Sequence, residues 1–363
     1  MITEAQVLDS MRHIIDPDLG RDIVSLGFIK NLKIDGGKVS FTVELTTPAC
    51  PVKERFKTAC ETAVKALPGV ESVAVEMGAM QAKPRAGSEI NALDKVDTIL
   101  AVSSCKGGVG KSTVAAHLAR TMQRQGLRVG LLDADVYGPS VPTLFNIHRP
   151  QLYVQKNMLI PIEVDGLKVM SMGFVLGESP AVLRGPIVSG YITQILRQTD
   201  WGELDYLIID MPPGTGDIQL TIVQQASLDG AIIVTTPHSL SLVDVAKGIL
   251  MFEKVHVPVL GIVENMSYFV CDNCEKKHHI FGSSKRSLKD RFGLDMLAEL
   301  PIMQGLSDLE ALQAGTVPPA LQAMAEQVHR EVGMRRIDAA PSAVVTPEPD
   351  TLLVRWPDGS ESR

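Results

Sequence analysis

The sequence predicts an α/β fold in which a domain with a mostly parallel sheet, covered by helices on both faces, follows a small α+β domain. Three observations carry this. From about Val96 the chain alternates six short apolar runs (TILAVSS, RVGLLDAD, LKVMSMGF, DYLIIDMPP, GAIIVTTP and PVLGIVENM) with helical patterns, as strands buried on both faces do. The first run enters a glycine-rich loop that opens a helix. Ahead of that region the texture changes to alternating strands between two amphipathic helices.

At 363 residues the chain is too long for one small core, and 45% hydrophobic with 21% charged residues is the balance of an ordinary globular protein. A formal charge of −7 argues against coating nucleic acid by bulk electrostatics. The start, MITEAQVLDSMRHIID, lacks the basic and apolar segments of a secretion signal, and no later run reaches membrane-spanning length. A cytoplasmic protein without nucleic-acid or membrane partners is expected. In that reducing compartment the five cysteines, Cys50, Cys60, Cys105, Cys271 and Cys274, read as thiols, metal ligands or core residues, not disulfides.

Residues 1–82 form the small domain. A helix at about Glu4–Ile14 precedes strands at Phe28–Ile34 and Lys38–Leu45, joined by the hairpin signal Asp35-Gly36-Gly37. A second helix runs from Pro51 to about Leu67, stopped by Pro68-Gly69 before a strand at Val70–Glu76. On that helix Cys60 shares a face with Phe56 and Leu67 and reads as core. Residues 83–95, which contain KPRAGS, read as a linker, and 96–337 as the main domain. Residues 338–363 read as a flexible tail in which Leu352–Trp356 and a turn at Pro357-Asp358-Gly359 suggest a truncated hairpin.

The chemistry concentrates at strand ends. TILAVSS runs into Cys105-Lys106-Gly107-Gly108-Val109-Gly110-Lys111-Ser112-Thr113 and a helix, the strand–loop–helix context of a P-loop. Its glycines let backbone N–H groups turn toward phosphate, the helix N-terminus adds positive potential, Lys111 reaches the β/γ-phosphates and Ser112 can ligate Mg²⁺. Asp133 and Asp135 close RVGLLDAD and Asp210 closes DYLIID, where carboxylates can hold Mg²⁺ and orient water. Cys105 has no ligand-spaced neighbour and reads as a small packing residue. After PVLGIVENM, Cys271 and Cys274 present two sulfurs, half of a four-thiolate centre that a dimer would complete. Zn²⁺ on the same thiolates, or on Cys271 and Cys274 with His278 or His279 of one chain, fits the spacing too.

KGGVGKST with its second lysine Lys106, DADVYGPSVP and DMPPGTGD resemble the ApbC/Mrp branch of the deviant Walker A ATPases, relatives of MinD, ParA and the nitrogenase iron protein, over about Val96 to Val332. The resemblance implies a sandwich homodimer with ATP at the interface, in which Lys106 contacts the partner subunit's nucleotide. It implies catalytic roles for Lys106, Lys111 and Asp135, the last positioning the attacking water. Asp133 and Asp210 would organise Mg²⁺, Asp210 through water, and Asn265 would meet the base. For Cys271 and Cys274 it implies a [4Fe–4S] cluster held by two pairs at the two-fold axis. The family pattern tends to place glycine after the second cysteine; Glu275 stands there instead.

The implied function is an ATP-hydrolysing carrier that exchanges clusters with scaffold proteins and apo iron–sulfur proteins. Asp16-Pro17-Asp18-Leu19-Gly20, Asp22 to Gly27 and Thr46 to Pro51 resemble a small iron–sulfur assembly domain often fused ahead of such ATPases. Cys50, before Pro51 at a helix N-terminus that stabilises thiolate, is a candidate transfer point. The final LLVRWPDGSESR is similar to the start of another small domain sometimes fused to these proteins. The rival function is a MinD/ParA-like positioning ATPase with a structural zinc CxxC site. That reading needs a basic amphipathic C-terminal helix, and the helix near Pro319–Arg336 carries Glu326 and Glu331 beside Arg335-Arg336.

Overall fold

The computed structural model describes residues 2–16, 21–45, 53–79, 91–148, 150–176, 185–214, 216–237, 241–271, 273–281, 292–302, 317–338, 344–347, 352–355 and 361–362. The chain divides into two compact units, Met1–Met80 with Arg330–Arg363, and Gln81–His329. Cys50 and the linker segment 83–90 lie outside the described residues.

In the first unit, helix Glu4–Met11 starts where Thr3 and Gln6 close a capping box. Strands β1 (Ile29–Asp35), β2 (Lys38–Leu45) and β3 (Ser72–Ala79) form one sheet in that order. β1 and β2 pair antiparallel, whereas β2 and β3 pair parallel, with helix Lys53–Lys65 lying between them in sequence. Val7, Met11, Phe28, Phe41, Phe56 and Val64 fill the core, and Cys60 is fully buried among them. Burial pushes the Cys60 thiol up to about 12, so it is inert as a ligand.

The second unit begins before its first strand. Asn91 caps a short 3₁₀ turn, Ala92–Lys95, whose Ala92 and Leu93 are buried. Residues 91–95 are therefore part of the fold and not of the linker, because an apolar pair anchors them.

The strands that follow are β4 (Val96–Ser103), β5 (Val129–Asp133), β6 (Val154–Gln155), β7 (Met158–Leu159), β8 (Ile162–Val164), β9 (Leu167–Ser171), β10 (Leu204–Asp210), β11 (Gly230–Thr235), β12 (Val259–Val270), β13 (Lys277–His278) and β14 (Met296–Ile302). Among the described residues, nine of them make one sheet in the order β13-β12-β11-β4-β10-β5-β9-β8, with β14 also on β12. The six apolar runs supply the parallel interior, β12 to β9. β8 and β13 add antiparallel edges, and β14 a further parallel pairing.

Helices Lys111–Arg124, Gly185–Gln198, Asp217–Ala226 and Ser241–Lys254 fall between consecutive parallel strands, as crossovers must. Sequence periodicity missed β14, whose MLAELPI is short and ends near Pro301, and the β8–β9 hairpin, although Asp165-Gly166 signals its turn.

The last helix, Pro319–Asp338, buries Leu321, Met324, Ala325 and Val328. At 20 residues it is about 30 Å long, and the division between units falls inside it instead of at residue 337. Beyond it, β15 (Val344–Pro347), β16 (Leu352–Arg355) and β17 (Glu361–Ser362) make a three-stranded antiparallel sheet. The tail thus holds one strand more than the hairpin expected there, supplied by the β-branched run Val344-Val345-Thr346.

Candidate functional site

β4 lies between β10 and β11, so the chain on either side of it runs in opposite directions across the sheet, the switch point at whose carboxyl edge open α/β sheets bind their ligands. The glycine loop leaves β4 at that edge. Gly108 and Gly110 have φ of 78° and 80°, the left-handed region that glycine tolerates. Gly110 caps helix Lys111–Arg124 without a side-chain hydrogen bond, which leaves the first-turn N–H groups to an anion. A Cβ at Gly110 would meet Asn265 Nδ2, which donates to the Val109 carbonyl at 2.9 Å. Asn265 therefore braces the loop.

Lys111 is buried, with Nζ 2.5 Å from Asp210 Oδ1 and 3.3 Å from Ser112 Oγ. Gly107 and Gly108 are exposed and Lys106 is half-buried. The Ser104 hydroxyl donates to the Lys106 carbonyl at 3.0 Å, and Gly214 N–H to the Ser104 carbonyl at 3.0 Å, which ties the loop's start to the segment after β10. Cys105 packs over Gly248, where an added Cβ would strike its sulfur.

Strand register brings the acids together. Asp210 pairs with Val102 of β4 on one side and Asp133 of β5 on the other. Asp133 is fully buried; its Oδ1 accepts from Asp135 N–H at 3.1 Å, and its Oδ2 from Val141 N–H at 3.1 Å and the Ser171 hydroxyl at 3.0 Å. Burial and then the neighbouring Asp210 carboxylate raise its pKa to about 7. Asp210 is raised as well by burial, against the pull of Lys111, and its buried Oδ2 has no hydrogen-bond partner among the described residues. Asp135 accepts from Tyr137 and Gly138 N–H groups at 3.2 Å through Oδ1. Ser171, at the end of β9, was not legible as a site residue, because only strand pairing sets it beside Asp133.

The cysteine pair stands where β12 turns into β13. Cys271 N–H donates to the Lys276 carbonyl at 3.1 Å, and Glu275 N–H to the Cys271 carbonyl at 2.8 Å. Glu275 sits at φ 57°, which is why glycine suits this position and how glutamate closes the same turn. The donor atoms of Cys271, Cys274 and His278 lie within 4.8 Å of one another. His279 instead lies against Tyr268, with ring centroids 5.9 Å apart.

Residues 95–333 match the family described as NUBPL iron-transfer P-loop NTPase, and residues 4–77 that described as iron-sulfur cluster assembly protein. The chloroplastic Fe-S cluster assembly factor HCF101 of Arabidopsis thaliana is 52% identical over 311 residues, covering 84% of this chain; the chain spans only 58% of that relative's length. The iron-sulfur cluster carrier protein of Synechocystis sp. is 42% identical over 350 residues, covering 92% of this chain and 99% of its own. Among solved structures, a nucleotide-binding protein from Archaeoglobus fulgidus, in complex with ADP and with Co, is 43% identical, with a TM-score of 0.57, over 63% of this chain and 92% of that one. The P-loop, the three strand-end aspartates and the cysteine pair all fall inside the matched region 95–333, and the chain belongs to the NUBPL iron-transfer P-loop NTPase family.

Proposed function

We propose that the chain is an ATP-hydrolysing cytoplasmic carrier that holds a [4Fe–4S] cluster between two protomers and passes it from scaffold proteins to apo iron–sulfur proteins. One observation carries the reading: β12 touches the phosphate loop through Asn265 and ends at Val270, directly before Cys271, which stands six residues after Asn265. Fully extended, those six residues would span at most about 20 Å from the loop contact to the first thiol. Met266, at φ 56°, bends the strand just past the loop contact, and its pairing with β14 shifts register between Glu264 and Tyr268. A change at the phosphate loop therefore has a covalent route to the thiolates.

Two thiolates are half of the ligand set that a four-iron cluster takes, and the second half comes from another copy. Apolar side chains near the pair in sequence and along its strands support a protein-covered face. Ile302, the β14 partner of Phe269, is 38% exposed, and just past β13 Ile280 and Phe281 are 61% and 52% exposed.

In the nucleotide site, Lys111 exchanges Asp210 for the arriving phosphates, while the P-loop N–H groups take the phosphate oxygens. The residues fit Mg²⁺: Asp210 has a buried oxygen without a partner among the described residues, and both Asp133 and Asp210 resist ionising side by side. Ser112, Asp133 and Asp210 would hold the ion, which when bound neutralises phosphate charge. Asp135 orients the attacking water. Lys106 reaches the partner's phosphates only when two protomers close, which couples hydrolysis to assembly. Asn265 acts through the loop as well as beside the base.

Anaerobic reconstitution with iron and sulfide tests the carrier role. The expected yield is one four-iron cluster per dimer, lost in Cys271→Ala and in Cys274→Ala while ATP binding persists. Full iron and sulfide content in the double variant would overturn it.

A further inference from the structure

We infer that Cys271, Cys274 and His278 also form a three-ligand site within a single protomer for one thiophilic divalent cation of the Zn²⁺ class. The inference shares two thiolates with the carrier reading but needs neither a second copy nor sulfide.

The β12–β13 ladder selects the histidine. Phe269 pairs with His278 and Val270 with Lys277, antiparallel, so the position opposite Cys271 is Lys276. Side chains alternate faces along each strand, which puts Phe269, Cys271, Lys276 and His278 on one side. Tyr268, Val270, Lys277 and His279 fall on the other. The contacts agree: Lys277 Nζ lies 4.5 Å from the Tyr268 ring centroid, and His279 also lies beside that ring. His278 is the diagonal neighbour of Cys271, and its ring reaches both sulfurs within 4.8 Å. The sequence left His278 and His279 equivalent; strand parity does not.

Zn–S bonds of about 2.3 Å at tetrahedral angles place two sulfurs about 3.8 Å apart, so side-chain rotation of about 1 Å closes the site. All but Cys271 of the three are well exposed, so no core packing opposes that rotation. Two thiolates and an imidazole make a soft S₂N set that favours Zn²⁺ and leaves a fourth position open to water. Because the same sulfurs cannot serve both centres, a protomer carrying this ion is closed to the bridging cluster. The site makes metal binding by one chain and cluster binding by two mutually exclusive.

The test is anaerobic titration of the metal-free full chain with Co²⁺, read by thiolate-to-cobalt charge-transfer absorption and by bound cobalt per protomer. One Co²⁺ per protomer is expected, displaced by Zn²⁺. Affinity should fall at least about tenfold in His278→Ala, stay unchanged in His279→Ala, and vanish with the charge-transfer band in Cys271→Ser/Cys274→Ser. His278 is exposed, and undiminished ATP binding by the variant confirms its fold. A wild-type titration curve from His278→Ala, or one Co²⁺ per two protomers with a four-thiolate spectrum, would overturn the inference. Iron and sulfide loading of His278→Ala separates it from the carrier role. Loading at the wild-type level beside weakened Co²⁺ binding supports both, whereas no loading in any chain, wild type included, beside the expected Co²⁺ pattern refutes the carrier role alone.

Discussion

Asn265 Nδ2 donates to the Val109 carbonyl across 156 residues of sequence, so the strand that leads into the cysteine pair also braces the phosphate loop. Asn265→Ala strands a buried carbonyl, a loss of about 1–3 kcal/mol. The melting temperature should fall by several degrees and nucleotide should bind about tenfold or more weakly. Gly110→Ala should cost at least as much, since alanine is strained at φ 80° and its Cβ displaces Asn265. Thermal melts with and without ATP measure both. A fully stable Asn265→Ala with unaltered ATP affinity would remove the brace.

Asp133 predicts a proton signal. With its pKa raised to about 7 by burial and Asp210, it keeps much of its proton in the free protein near neutrality. A cation at the site favours the ionised form, so binding Mg²⁺ with nucleotide expels the proton. Release should be larger at about pH 6, where the group starts protonated, than at about pH 8, where it is already ionised. Calorimetry in buffers of different ionisation enthalpy measures it, and Asp133→Asn should reduce the pH dependence. Equal release in wild type and Asp133→Asn would assign the proton elsewhere.

Lys111, Asp135 and Lys106 should fail in different ways. Lys111→Ala should lose nucleotide binding, whereas Asp135→Ala should bind ATP and hydrolyse it at least about a hundredfold more slowly. Lys106→Ala should impair ATP-induced dimer closure more than binding by one subunit. Mixed dimers of Lys106→Ala with Asp135→Ala contain one site with an intact lysine and aspartate if Lys106 acts across the interface. They should recover activity that neither parent has, and proven subunit exchange without recovery would place Lys106 in its own subunit's site.

Glu275 holds a left-handed backbone at φ 57° that costs a side-chain-bearing residue about 1–2 kcal/mol. Glu275→Gly should therefore leave the knuckle at least as well formed and the cysteines at least as competent for metal. Metal affinity compared with Glu275→Val, which should weaken it, is the measurement. Higher affinity in Glu275→Val than in Glu275→Gly would contradict the strain argument.

Much was legible in the residues themselves. Each of the six apolar runs becomes a strand of the sheet, because a strand buried on both faces writes a continuous apolar pattern into its own sequence. The glycine loop was equally plain, since positive φ at Gly108 and Gly110 is a local demand that a sequence meets with local residues. β14 escaped, for its seven residues carry no clear period and it gains its place only by lying beside β12.

The sequence alone therefore determined the α/β class, the phosphate loop, the strand-end acids and the cysteine pair, all encoded in runs of a few consecutive residues. Tertiary structure decided which of those groups meet: Asp133 beside Asp210 by parallel register, Asn265 against Val109 by the seating of β12, and His278 instead of His279 beside the sulfurs by strand parity. The physical reason is that pairing register joins residues far apart along the chain, and a shift of one residue would turn every side chain of a strand to its other face.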